Sequence, residues 1–156
     1  MSAGGRAWGL TGVLCAVVVA ADQAVKAIVE ARLFPGEDVD VLGPLGLTLA
    51  HNRGVAFGLA GGAGIGLVLV TVAALAVIAY VFARDPQRRG MWVAAGLLAG
   101  GALGNLIDRL AAGEVTDYIV VGSWPPFNLA DVAITAGVLL MVLIYLRDAE
   151  PEAESG

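Results

Sequence analysis

Two carboxylates lie beside the most apolar stretch of this chain. Asp131 opens the run FNLADVAITAGVLLMVLIYL, and Asp117 precedes it in EVTDYIV. The preceding apolar run ends in GGALGNLIDRL, which carries Asn105, Asp108 and Arg109. Ionisable groups at the edge of a bilayer are costly and mark function by default. If Asp117 and Asp131 approach each other, both cannot ionise comfortably, so one proton is shared. The ionised partner can then draw a proton from water, the water can attack a carbonyl carbon, and the protonated partner can support the developing oxyanion. That is the arrangement of an aspartic peptidase, and it needs no metal or organic cofactor. Two plainer readings stay open at this point. Asn128-Leu-Ala-Asp131 has the spacing of an N-cap followed by an acid at N3, and Asp117 can serve as a turn acid.

Other polar groups gather around the same elements. Asp22 and Lys26 in DQAVK are four apart, either as an ion pair capping the end of a helix or with Asp22 lining a polar pocket. In HNRGVAFG, Gly54 lets the backbone turn sharply after Asn52 and Arg53. His51 is the only histidine, which removes the usual His-dependent triads and the H-E-x-x-H zinc site. Gly101, Asn105, Asp108 and Ala112 form one helical stripe, with Arg109 beside it to pair with Asp108 or to hold a carbonyl or phosphate. Gly96, Gly100 and Gly104 form a second stripe, the small-xxx-small pattern of close helix contact in lipid.

The elements that position these groups follow from composition. The chain is 58% hydrophobic and 15% charged, with mean hydropathy +0.83; a soluble domain carries roughly 25% charged residues. Four apolar runs, over 7–28, 63–82, 91–110 and 129–146, are each close to the roughly 20 residues that cross a bilayer as a helix. They predict a membrane all-α bundle in a single domain over residues 1–147, followed by a short disordered acidic tail over 148–156. The first run has some features of a cleavable signal, Arg6 and Val19-Ala20-Ala21, but its pattern continues helically to Lys26 and it is read as a retained span. Cys15 lies within that run, so no disulfide framework is expected. The net charge of −5 includes four acids of the tail, and no basic patch points to nucleic acid. Arg6, Arg84, Arg88, Arg89 and Arg147 predict cytoplasmic termini and a cytoplasmic 84–90 loop. Trp8, Tyr80, Phe82, Trp92 and Tyr145 are expected in the inner aromatic belt, and Phe34, Phe57, Tyr118, Trp124 and Phe127 in the outer one. Residues 29–62 read as a hairpin-like structure turning at Gly43-Pro44, and 111–128 as an outer segment with the stiff turn Trp124-Pro125-Pro126. A small transporter or channel using the carboxylates as a proton or ion relay is the main alternative, and a non-catalytic membrane subunit is another. Polar groups confined to one membrane face disfavour a pathway through the bundle.

Five blocks, DQAVK, NRGVAFG, GGALGNLIDR, VTDY and FNLAD, occur in an order and placement that resemble the bacterial lipoprotein signal peptidases, signal peptidase II. The resemblance implies four transmembrane helices with a small extracytoplasmic β-cradle and a short periplasm-facing helical segment. It implies that Asp117 and Asp131 are the catalytic pair and that Asp22, Asn52, Asn105, Arg109 and Asn128 line the substrate and water site. The implied substrate is a prolipoprotein bearing a diacylglyceryl group on its lipobox cysteine, cut just before that cysteine at the outer face of the plasma membrane. Outer loops 29–62 and 111–128 are expected to clamp it, with Phe57 and Trp124 as part of that lid. Membrane lipid is the surrounding partner, and the chain is long enough to work as a monomer.

Overall fold

The structure, a computed structural model, describes residues 2–54 and 63–149. Phe57 and the rest of 55–62, and the tail residues 150–156, lie outside the described residues. Four helices are long and apolar enough to cross a membrane. They are α1 (Ala3–Glu30), α2 (Ala63–Arg84), α3 (Met91–Ala111) and α4 (Leu129–Ala149). Their bounds fall within a few residues of the predicted runs, and α4 continues two residues past the predicted start of the tail. Three strands make a small antiparallel sheet in the order β1 (Asp38–Leu42), β2 (Leu45–Asn52) and β3 (Val115–Val121). Among the described residues no helix lies outside the four spans.

The expected hairpin is β1 and β2, turning at Gly43-Pro44, where Gly43 takes φ 55°. The strand β3 was not foreseen. Residues 115–121 are not a turn, and Asp117 is a strand residue. Its stretch VTDYIVV is rich in β-branched side chains and is bounded by Gly113 and Gly122, both at positive φ. The partner β2 supplies the pairing, with His51 opposite Thr116 and Asn52 opposite Val115.

Helix α3 is the hub. In its most apolar stretch 61% of residues are buried, against 6% in α2, and it packs on α1, α2 and α4. Two of its faces are stripped of side chains to allow this. A Cβ on Gly96 would lie 3.0 Å from Leu14, and one on Gly100 would lie 2.7 Å from Val18, both on α1. One turn further, a Cβ on Gly104 would lie 2.7 Å from Asp22 Oδ2. On the other side Gly101 lies against Ala130 and Ile134 of α4, while Gly137 of α4 receives Leu98. Small residues thus bring three backbones close enough for dispersion to hold them where lipid removes the hydrophobic driving force.

Two apolar clusters fix the ends. Ala7, Phe82, Met91, Ala94, Ala95 and Ile144 close one end, and Phe82 meets Trp8 edge-on at 4.7 Å. Phe82 is therefore a core residue and not part of the inner belt, because the short 85–90 loop folds α2 onto α3 at that level. Val29, Leu49 and Tyr118 close the other end and join the sheet to α1. Tyr118 likewise leaves the outer belt for the core, while Phe34 and Trp124 are exposed as expected.

The glycine contact yields a test. Gly104→Ala should lower the thermal unfolding midpoint in detergent, at a cost of about 1–3 kcal/mol for overpacking. Gly12→Ala, inside α1 where a Cβ meets nothing within 4 Å, should not lower the midpoint.

Candidate active site

The buried face of α1 runs Thr11, Val18, Asp22, Lys26 and Val29. The last polar pair continues an apolar helical stripe, so Asp22 and Lys26 are carried inside. They are not an exposed end cap. Lys26 Nζ lies 2.7 Å from Asp22 Oδ2 and 2.6 Å from Asp108 Oδ2, and it donates to Asn105 Oδ1 at 3.0 Å. Gln23 donates to Asp108 Oδ1 at 2.7 Å and to the Gly104 carbonyl at 3.3 Å. Asp108 is thus held by α1, and the anticipated Asp108–Arg109 pair does not form. Asp22 is 0% exposed, and its other oxygen accepts the Ala130 amide at 3.0 Å. It fastens α4 to α1 beneath the site and does not face an open cavity.

Arg109 instead donates from Nη1 to the Asn105 carbonyl at 3.3 Å. Its Nε is buried without a hydrogen-bond partner among the described residues.

Asn105 stands one layer above. Lys26 can only donate, so the amide oxygen of Asn105 must face it, and the amide nitrogen must face the opposite way. That nitrogen donates to Asp131 Oδ1 at 2.8 Å. Asn128 is fixed by the same logic. Its Oδ1 accepts the Asp131 backbone N–H at 2.9 Å, which leaves Nδ2 to donate to Asp117 Oδ1 at 2.8 Å and to Asn105 Oδ1 at 3.0 Å. Asp131 Oδ2 in turn accepts the Asn128 N–H at 3.3 Å. The N-cap reading of Asn128 and Asp131 is therefore correct, as a reciprocal capping box with Asp at N3. The same carboxylate is also joined, through Asn105 and Asn128, to Asp117.

The chain reaches this arrangement by a tight return. After β3 the backbone turns at Gly122, Trp124 N donates to Val121 O at 3.0 Å, and Phe127 pairs with Ile119 as an isolated bridge. Asn128 is thereby laid beside Asp117, with Asp131 on the first turn of α4. From the other side Asn52 lies diagonally across the β2–β3 ladder and donates to Asp117 Oδ2 at 3.1 Å. Thr116 bonds Glu30 at 2.5 Å and fixes β3 to the end of α1.

Asp117 is 3% exposed. Burial pushes its carboxyl up to about 6, and the negative charge of Asp131 adds to this. Hydrogen bonds from Asn52 and Asn128 and the positive charge of Lys26 oppose the rise. Asp131 borders two cavities. One of about 390 Å³ lies along α4 under Trp124 and Phe127. The other, about 560 Å³, lies between α2, α3 and α4 and is lined by Asn105 and Arg109 together with Val70, Ile78, Leu98 and Val138.

All seven predicted site residues belong to the same end of the bundle. Asp117, Asp131, Asn105, Asn128 and Asn52 form one hydrogen-bonded set, Arg109 adjoins it through the Asn105 carbonyl, and Asp22 lies below. Lys26 and Gln23 were not anticipated as part of it. The spacing of Asp22 and Lys26 on the apolar face of α1 was the available signal. Among the described residues no three His, Cys, Asp or Glu side chains converge as a metal site. His51 is exposed on β2.

Comparison with known proteins identifies the family. A lipoprotein signal peptidase of Pelotomaculum thermopropionicum is 40% identical over 144 residues, covering 91% of this chain and 95% of its own. One from Rhodococcus jostii is 38% identical over 149 residues, covering 90% and 74%. A solved structure described as a bacterial membrane enzyme, determined by the in meso method at 1.9 Å, superposes with TM-score 0.84 at 35% identity, covering 90% of this chain and 94% of its own. The family model for signal peptidase (SPase) II matches residues 14–147. With that match covering the sheet and all or most of each helix, the chain belongs to the signal peptidase II family and is a membrane-spanning peptidase.

Proposed function

We propose that this protein is an aspartic endopeptidase that removes signal peptides from prolipoproteins, cutting before a diacylglyceryl-modified cysteine. The observation that carries this reading is the circuit Asp117–Asn128–Asn105–Asp131, with both amides oriented by donor-only partners. It links two carboxylates at one end of the bundle, one of them holding its proton to about pH 6. Such a pair suits shared-proton activation of water. Asp131 lies in the first turn of helix α4, where the positive N-terminal dipole favours negative charge. Asp131 as base and Asp117 as the proton-holding partner fits both facts.

Arg109 offers a buried Nε without a partner beside the larger cavity, where a substrate carbonyl can accept it. That cavity is apolar along α2 and α4, as a lipid-embedded signal helix or acyl chain requires. Trp124 and Phe127 cover the second cavity and are placed to act as part of a clamp. The arginines at the opposite end support cytoplasmic termini and carboxylates at the outer face of a bacterial plasma membrane. A monomer contains every group invoked. The relay reading gains nothing from the geometry, because the linked polar groups stay at one end.

The direct test is cleavage of a diacylglyceryl-modified prolipoprotein by the purified protein. Asp117→Asn and Asp131→Asn should each remain folded in detergent and lose about 10²–10⁴-fold in rate, the contribution of acid–base catalysis. A folded Asp131→Asn cutting at the wild-type rate would reduce Asp131 to a helix cap.

Protonation offers a second test. An unfolded Asp releases its proton near pH 3.9, whereas folded Asp117 keeps it to about 6. The folded state therefore binds the extra proton in that window, and this group's contribution to stability falls as pH rises from about 4 to about 6, then levels. The thermal midpoint of Asp117→Asn should lack that decline, and identical slopes in variant and wild type would count against a raised Asp117.

Lys26→Met leaves Asp22 and Asp108 buried without their cation. It should lower stability by about 3–5 kcal/mol, the scale for breaking a buried ion pair, read as the loss in unfolding midpoint.

A further inference from the structure

A second polar site lies at the end of the bundle opposite the carboxylates. The loop between α2 and α3 curls back on itself, with Arg88 N donating to Asp85 O at 3.3 Å and Met91 N to Arg88 O at 3.0 Å. It ends at Gly90, which takes φ 84° and faces α4 so closely that a Cβ would lie 3.3 Å from Ile144 Cδ1. This contact lays the loop flat against the last turns of α4. Arg88 places its guanidinium over the Tyr145 ring, 4.1 Å from the centroid. Arg88, Arg89 and Arg147, with Ile144, then line a recess of about 120 Å³, several times the ~30 Å³ share of one water.

Three arginines line this one recess in a chain of net charge −5. Arg89 and Arg147 have no hydrogen-bond or ion-pair partner among the described residues. These two like charges bordering one concave site repel unless an anion joins them. Guanidinium forks match phosphate oxygens two at a time. The surroundings identify the kind of phosphate. Leu139, Leu143 and Arg147 are spaced by four on one helical face, and both leucines are exposed. A charged head therefore sits at the membrane interface directly above a strip of lipid-facing apolar surface.

We propose that this recess binds the phosphodiester headgroup of an anionic phospholipid in the leaflet opposite the candidate active site. Arg89 and Arg147 donate to its oxygens, Arg88 over Tyr145 forms the wall, and an acyl chain lies along Leu143 and Leu139. The site is independent of the peptidase reading and of the orientation of the chain.

The test uses the full chain in a neutral detergent, titrated with phosphatidylglycerol, phosphatidylcholine or inorganic phosphate and read by native mass spectrometry. Wild type should bind phosphatidylglycerol about tenfold or more tightly than phosphatidylcholine, the scale for two basic side chains facing anionic lipid. Arg89→Gln with Arg147→Gln should abolish the preference. Arg6→Gln with Arg84→Gln removes the same charge outside the recess and should retain it. Equal binding of the two lipids by wild type would overturn the proposal, as would an unaltered preference in the recess variant. Equal loss in both double variants would replace a built site with diffuse charge. Displacement of the lipid by an equal concentration of inorganic phosphate would reassign the recess to a free phosphate compound.

Discussion

The site depends on one buried cation. Lys26 has three N–H groups and three acceptors, from Asp22, Asp108 and Asn105. Two of these are carboxylates, and each alone would be very costly at this depth. The cation makes them tolerable, and they in turn place its third N–H on Asn105. The orientation of Asn105 follows from that contact. Asn105 must aim its amide nitrogen at Asp131, and the other oxygen of Asp22 takes the Ala130 amide of α4. Buried ion pairs are weak arguments for stability. Here the better-supported role is specificity, because a hydrophobic replacement would fill the space and leave the amides undirected.

Close backbone approach makes the network reachable. Lys26 of α1 and Asp108 of α3 meet because Gly104 offers no side chain between the helices, and Asp22 occupies the space a Cβ would claim. The same helix meets α4 across Gly101. Glycine therefore acts twice, by admitting the neighbouring helices and by giving their polar groups access to each other. Larger side chains on either stripe would push α1 or α4 outward and stretch hydrogen bonds that have no water to replace them.

Much of this was legible from the chain. The four spans, the β1–β2 hairpin and the gathering of polar groups on one face follow from apolar run length, Gly43-Pro44 and charge placement. The strand β3 was hidden although VTDYIVV carries β-branched residues between glycines, because its partner residues on β2 lie 63 to 76 positions away. A strand is recognised by what it pairs with more than by its own propensity. The burial of Lys26 was hidden for a similar reason, since Asp108 is 82 positions distant. The double role of Asp131 could not be read either way. Capping and chemistry ask for the same residue type at the same place, so a sequence pattern cannot separate them, whereas the hydrogen bond from Asn105 can.

The lopsided burial of the helices has a consequence for selectivity. Helix α2 packs chiefly on α3 and keeps most of its apolar surface toward lipid, next to the larger cavity. A hydrophobic segment entering beside it trades contact with acyl chains for contact with valine and leucine, two environments of nearly equal polarity. Little free energy then distinguishes one such guest from another, so that wall discriminates poorly among hydrophobic sequences. Discrimination falls instead to the polar end, where a mismatched backbone would strand oriented amides and the buried Nε of Arg109. The bundle is accordingly permissive along its length and exacting at its tip.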